Sequence, residues 1–216
     1  MMKLVKICGM REPTNIIEVA NLQPHFLGFI FYKPSARYVG DRFNMPAIPK
    51  GIKKVGVFVN ETTEVMVQKA NDYQLDFLQL HGEEPVEQVM ELKTLGFKII
   101  KAFRINDLFG FSTTDAYQPY CDFFLFDSKG KNYGGNNQVF DWSVLKNYNQ
   151  KIPFLLSGGL NASNLQNTTE LNSANCVGFD INSGAELSPA VKDVDAVKRI
   201  IQLINCDETH SVGLIN

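Results

Sequence analysis

The sequence predicts the α/β class, and within it a (β/α)8 TIM barrel in a single compact domain over residues 1–206. Three observations point there. Eight short apolar runs rich in Val, Ile, Leu and Phe recur along the chain, helical spacing fills several of the intervals, and glycine-bearing turns follow the seventh and eighth runs. Near-continuous hydrophobicity over a short run is what a parallel strand covered on both faces requires. Eight such strands close a barrel, whereas a doubly wound sheet uses fewer and opens on a glycine-rich turn. No GxGxxG follows the first run here.

In chain order the strand runs are KLVKIC (3–8), FLGFIF (26–31), KKVGVFV (53–59), DFLQLH (76–81), FKIIKAF (97–103), DFFLFD (122–127), IPFLLS (152–157) and CVGFDI (176–181). After the first, Thr14–Leu22 places Ile16, Ile17, Val19 and Ala20 mainly on one side of a helix. After the third, Thr62–Tyr73 does so with Val65, Met66, the stem of Lys69 and Ala70, and Thr62 opens it as a cap. Pro85–Leu95 follows with Val86, Val89, Met90 and Leu92; Pro85 suits a first turn and Gly96 a stop. Val191–Leu203 carries Val194, Val197, Ile200 and Ile201, with Ile204 beyond. The segments after the second and sixth runs read as short or irregular, and Pro46 and Pro49 interrupt the former. Residues 207–216 lack a pattern and are expected to fray as a flexible tail.

A chain of 216 residues sits near the lower limit for such a barrel, so its loops are expected to be short. A net charge of −2 gives no reason to expect nucleic acid or an anionic membrane as partner, so an anion must be held by a local site. Cys8, Cys121, Cys176 and Cys206 form neither a CxxC nor a Cys/His cluster, which argues against zinc and against a disulfide framework. Reduced thiols in the cytoplasm are expected. Lys3 and Lys6 break the first apolar run, so it reads as neither signal peptide nor anchor.

In barrels of this kind the chemistry lies at the C-terminal strand ends. Cys8 ends its strand beside Gly9. A lone cysteine is more often a small buried hydrophobe than a base or nucleophile, and both readings stand. Cys121 and Cys176 start strands at the opposite end and read as structural, and Cys206 as part of the tail. Asp127 closes FFLFD, where a half-buried carboxyl suits a general acid; the alternative is a partner for Lys129 or Arg104.

Ser157-Gly158-Gly159-Leu160 and Asp180-Ile181-Asn182-Ser183-Gly184 follow strands seven and eight, the recurring phosphate site of this architecture. Glycines there expose backbone N–H groups to an anion. The spacing thus implies a small phosphorylated substrate. His81 either caps its loop or touches the ligand, and no second histidine beside it suggests a metal. Arg37 either grips a carboxylate with two N–H groups or is a solvated cation. Lys129–Lys131 and Gly134-Gly135 suggest a mobile loop over the mouth, and Trp142 packing.

KICGM (6–10), GFIF…SAR (28–37), VGVFVN (55–60), LQLHGEE (78–84), LFD (125–127), GG…FDW (134–142), SGGL (157–160) and DINSGAE (180–186) with Lys192-Asp193 resemble the phosphoribosylanthranilate isomerase family of tryptophan biosynthesis. The matches run in order through nearly all of the chain, and KICG with LQLHG at this spacing is specific. The resemblance implies a cofactor-independent, metal-free Amadori rearrangement of N-(5-phosphoribosyl)anthranilate to the 1-deoxyribulose 5-phosphate, by a monomer or a homodimer. It implies Cys8 as general base, Asp127 as general acid and Arg37 as partner of the anthranilate carboxylate. His81, Gly158, Gly159, Asp180, Asn182, Ser183 and Gly184 would complete the substrate site. Lys6 and Arg37 are the cations placed to favour a Cys8 thiolate.

Three positions depart from the family pattern. Gly134-Gly135-Asn136-Asn137 stands for GGTG, SAR for SPR, and SGGL for AGGL, where Ser157 either reaches the phosphate or packs. The alternatives are the related histidine-pathway isomerase, which carries an Asp where this chain has Cys8, and a non-catalytic phosphate-binding barrel. A thiol-redox protein would need a resolving cysteine near Cys8.

Overall fold

The structure, a computed structural model, describes residues 3–128, 141–148, 151–165 and 175–206. The glycine-rich segment after strand six and the tail at 207–216 lie outside the described residues. Eight parallel strands close a barrel in chain order: β1 (Leu4–Ile7), β2 (Phe26–Ile30), β3 (Lys53–Phe58), β4 (Phe77–Leu80), β5 (Lys98–Ile105), β6 (Phe123–Ser128), β7 (Phe154–Leu156) and β8 (Cys176–Ile181), which returns to β1. Each overlaps the apolar run that predicted it.

Alternation along the strands explains why those runs are apolar throughout. Ile7, Phe29, Leu78, Phe126 and Ile181 face outward and join the helices in the main core. Phe26, Val55, Phe77, Ile100, Leu125 and Leu155 form a separate apolar cluster that fills one end of the lumen. Towards the C-terminal strand ends the same inward columns turn polar, and that change makes the site.

The outer layer contains α1 (Pro13–Ala20), α2 (Thr63–Tyr73), α3 (Val86–Thr94) and α4 (Val194–Cys206). The Thr62 side chain accepts a hydrogen bond from Val65 N–H at the start of α2, as its sequence implied. After α3, Gly96 at φ +89° turns the chain while Phe97 N–H reaches back to Leu92 O. Ile17 and Met90, assigned above to buried faces, are 47% and 43% exposed. Each adjoins a fully buried residue, Ile16 or Val89, and successive residues lie about 100° apart on a helix, so a narrow stripe takes one of each pair.

The last helix begins three residues later than its periodicity suggests. Val191–Lys192 form β10, antiparallel to β9 (Glu186–Ser188). Asn15 of α1 holds them there, its side chain accepting from Lys192 N–H and donating to Lys192 O. Asp193 then caps α4 through Ala196 N–H. Cys206 closes α4 and is exposed, instead of lying in the tail. The segment between β2 and β3 contains no helix, in keeping with its two prolines. Among the described residues, 3-10 helices Phe111–Tyr120 and Trp142–Asn147 stand after β5 and β6. Trp142 is buried as a packing residue. Among the described residues no helix is long and apolar enough to cross a membrane.

Candidate active site

Every residue singled out from the sequence as catalytic or substrate-binding lines one cavity at the C-terminal mouth of the barrel. The register explains part of this. Lys6 on β1 pairs with Asp180 on β8, so the residue below Cys8 faces the carboxylate of the last strand. Lys6 is fully buried, with Nζ 2.8 Å from Asp180 Oδ1. Burial pushes the Cys8 thiol above its ordinary range; Lys6 is the main opposing influence, Asp180 adds to the rise and Lys192 opposes it. Burial alone would lower Lys6, but Asp180 and Cys8 outweigh it and hold the ammonium above its usual range. The sulfur therefore sits against a retained cation. Its second cation is Lys192 of the strand-eight hairpin, whereas Arg37 is engaged elsewhere.

Asp127 is 5% exposed. Its Oδ1 accepts from Ser128 N–H at 2.9 Å, and Oδ2 lies 3.2 Å from His81 Nε2. His81 is thus one partner of the carboxyl; Lys129, considered above, lies outside the described residues. Its other nitrogen, Nδ1, lies 2.9 Å from Gln79 Nε2. The loop carrying His81 is pinned from outside the barrel. Lys101 donates to Gly82 O at 2.8 Å and to Glu84 Oε2 at 2.9 Å, and Glu84 in turn accepts from the N–H groups of Gly82 and Asn60.

Arg37 makes a side-on pair with Glu186, from Nε at 2.9 Å and Nη2 at 2.6 Å. Glu186 also accepts from Lys192 Nζ at 2.7 Å. Burial would raise the Glu186 carboxyl, but Arg37 and Lys192 hold it below the usual carboxylate range. Burial draws Lys192 down against the pull of Glu186. Arg37 is therefore a fixed cation lining the cavity, not a solvated one.

The glycine turns of strands seven and eight meet. Gly158 and Gly159 adopt φ of +93° and +65°. A Cβ on Gly184 would fall 3.1 Å from Asn161 Cβ and collide with Leu160 O, so only glycine lets the two turns close on each other. Ser157 turns its hydroxyl towards Asp180, 3.4 Å from Oδ2. Ser128 Oγ is buried beside Gly158 and has no hydrogen-bond partner among the described residues. Among the described residues no three His, Cys, Asp or Glu side chains gather as metal ligands.

Gln79, Ser128, Glu186 and Lys192 are among the site residues missed in the sequence. Gln79 stands two places before His81, as Lys6 does before Cys8, so the strand period could have found it. Ser128 directly follows the candidate acid. Glu186 and Lys192 belong to the hairpin read as loop and helix, and nothing local marks them as partners of Arg37.

The sequence profile described as N-(5'phosphoribosyl)anthranilate (PRA) isomerase matches residues 5–203. The chain is 44% identical over 205 residues to the N-(5'-phosphoribosyl)anthranilate isomerase of Parabacteroides distasonis, covering 93% of each protein. Its fold is similar to a phosphoribosyl anthranilate isomerase solved with reduced 1-(o-carboxyphenylamino)-1-deoxyribulose 5-phosphate, with a TM-score of 0.78, 29% identity, and coverage of 96% of this chain and 100% of the other. It is also similar to monomers generated from the dimeric Thermotoga maritima isomerase, with a TM-score of 0.76, 29% identity, and coverage of 93% and 97%.

Proposed function

The chain belongs to the N-(5'-phosphoribosyl)anthranilate isomerase family of tryptophan biosynthesis, and from that premise we propose how its cavity divides the reaction among its residues. The reaction is the Amadori rearrangement of N-(5-phosphoribosyl)anthranilate to 1-(2-carboxyphenylamino)-1-deoxyribulose 5-phosphate. The observation that carries the assignment is the meeting of Cys8, Asp127, Arg37 and both glycine turns in one cavity.

Asp127 is the general acid. It protonates the furanose ring oxygen, and the ring opens to an iminium. The iminium acidifies the neighbouring C2′–H, and Cys8 as thiolate removes that proton to leave an enolamine. Protonation at C1′ and loss of the enol proton then give the ketone. The iminium is the electron sink within the substrate, so the residues need supply only proton transfer and position.

Arg37 receives the anthranilate carboxylate. Its Nε edge is occupied by Glu186, which leaves the Nη1 edge to accept a second carboxylate in two-pronged fashion. Ile30, Val57 and Tyr32 form an apolar cluster with Cys8 and give the aromatic ring a surface. The N–H groups of the turns at Gly158-Gly159 and Ser183-Gly184 bind the phosphate, with Asn182 beside them. Asp180 holds Lys6 against the base. A compact cytoplasmic enzyme, monomeric or homodimeric, fits this reading; the Thermotoga relative is described in both forms.

The test follows the fluorescence loss of freshly made phosphoribosylanthranilate with Cys8→Ser and Asp127→Asn. Each substitution is expected to cut kcat by about 10²–10⁴-fold and to leave KM within a few-fold. Near-wild-type turnover in either variant overturns that residue's assignment.

A further inference from the structure

Gln79 is fully buried, lies on the inward column of β4, and its amide nitrogen hydrogen-bonds His81 Nδ1. We propose that Gln79 is a positioning residue that fixes His81 as the neutral Nε2–H tautomer, so that His81 donates to the carboxylate left when Asp127 gives up its proton. The inference rests on the reading of Asp127 as the acid.

A carboxylate only accepts hydrogen bonds. Asp127 Oδ1 already accepts from Ser128 N–H, and Oδ2 faces His81 Nε2. A bare Nε2 would set lone pair against lone pair, so the imidazole proton belongs on Nε2. A neutral imidazole carries one N–H, which leaves Nδ1 bare and in need of a donor. The Gln79 amide nitrogen, 2.9 Å from Nδ1, is that donor. Donation then runs one way, from Gln79 to His81 to Asp127.

The reversed amide fits worse. Among the described residues Gln79 Oε1 is buried without a hydrogen-bond partner. Turning the amide would satisfy Oε1 only by requiring a proton on Nδ1, and a neutral ring would then present bare Nε2 to the carboxylate. The amide N–H at Nδ1 also leaves no room for a second ring proton. The Lys101–Glu84 pin on the loop after β4 fixes the ring against this amide.

The test is long-range 15N–1H NMR of histidine-labelled enzyme, with His81 assigned by its loss in His81→Asn. The expected wild-type pattern is a protonated Nε2 and a bare Nδ1 at neutral pH. Gln79→Glu, which offers oxygen at both positions, is expected to place a proton on Nδ1. It should lower kcat by about tenfold or more, as a wrongly protonated histidine does, with KM within a few-fold. Gln79→Met keeps the length without the amide and is expected to lower kcat in the same direction. A wild-type His81 protonated on Nδ1 overturns the inference, as does loss of kcat in Gln79→Glu with the wild-type tautomer intact. Full activity in Gln79→Met overturns it too. Full activity in Asp127→Asn would instead sink the acid assignment and leave the tautomer measurement standing, so the two failures are distinguishable.

Discussion

Alanine at position 28 would put a methyl group where the base and its cation meet. A Cβ on Gly28 falls 2.8 Å from Cys8 Sγ, 3.0 Å from Lys6 Nζ and 3.1 Å from Cys8 Cα. Nonbonded heavy atoms settle at about 3.5–4.0 Å, so the sulfur must retreat by about 0.7 Å or more. Neither side chain escapes cheaply. Lys6 is fully buried and bonded to Asp180 at 2.8 Å, and a new Cys8 rotamer would still leave the methyl crowding the Cys8 backbone. Overpacking of this kind costs about 1–3 kcal/mol of stability, and a misplacement near 1 Å costs on the order of 10²-fold in rate. Steady-state decay of phosphoribosylanthranilate fluorescence should show kcat down about 10- to 100-fold in Gly28→Ala. KM should stay within a few-fold, because Arg37 and the phosphate turns are untouched. Urea unfolding reports the stability loss separately. Gly51→Ala, where nothing lies within 4 Å of the new Cβ, is the control for a bare methyl addition. A Gly28→Ala enzyme with kcat within twofold of wild type would refute the placement of Cys8 as the base that takes the C2′ proton.

Other consequences are directly measurable. Arg37→Ala should raise KM by about tenfold or more through loss of charged hydrogen bonds, with a smaller change in kcat; an unchanged KM would remove its role at the anthranilate carboxylate. Because burial lifts the Cys8 thiol and the base acts as thiolate, kcat/KM should still be climbing with pH where an ordinary thiol begins to ionise. A pH–rate profile already flat below neutrality would contradict that. Glu186 is held below the usual carboxylate range, so its contribution to stability is present above the unfolded value of about 4.3 and is lost as pH falls through the depressed folded value. Glu186→Gln should therefore flatten the acid limb of a denaturation-against-pH series, and an unaltered limb would argue that Arg37 and Lys192 do not stabilise that charge.

The strands were legible because the barrel buries them on both sides, which makes each run, such as DFFLFD, apolar almost throughout. Short helices gave a weaker signal: in the eight residues of α1 adjacent isoleucines cannot be ranked by spacing alone. The hairpin before α4 was hidden for a different reason. Val191 fits a helical stripe as well as a strand, and what draws Lys192 out of the helix is Asn15, which lies 177 residues away. The site divides in the same way. Cys8, Asp127 and the paired turns stand where strands end, so their positions followed from counting strands, although their chemistry came from the family resemblance. The Arg37–Glu186 and Lys6–Asp180 partnerships join residues 149 and 174 apart and exist only once β8 closes against β1.

Those partnerships bear on the central difficulty of the mechanism, which needs a thiolate and a protonated carboxyl in one cavity. Ordinary acidities run the other way, since a carboxyl near 4 ionises long before a thiol near 8.5. Burial lifts the Cys8 thiol further, so what opposes that lift matters to the base. At the base the neighbour is a cation, Lys6, kept charged by Asp180. At the acid the hydrogen-bonding side chain is His81, and a neutral imidazole there supports the departing proton's carboxylate without imposing a positive charge beforehand. A charge at position 81 should then do more harm than loss of the imidazole itself. His81→Gln, which retains a neutral N–H, is expected to keep kcat within about tenfold of wild type. His81→Lys should lose orders of magnitude, because an ammonium beside Asp127 favours the ionised carboxyl. Both variants can be compared by fluorescence decay, with phosphate-analogue binding as a check on the fold. Equal activity in the two would show that the charge of the residue facing Asp127 is immaterial, and the asymmetry between the two ends of the cavity would then have no part in catalysis.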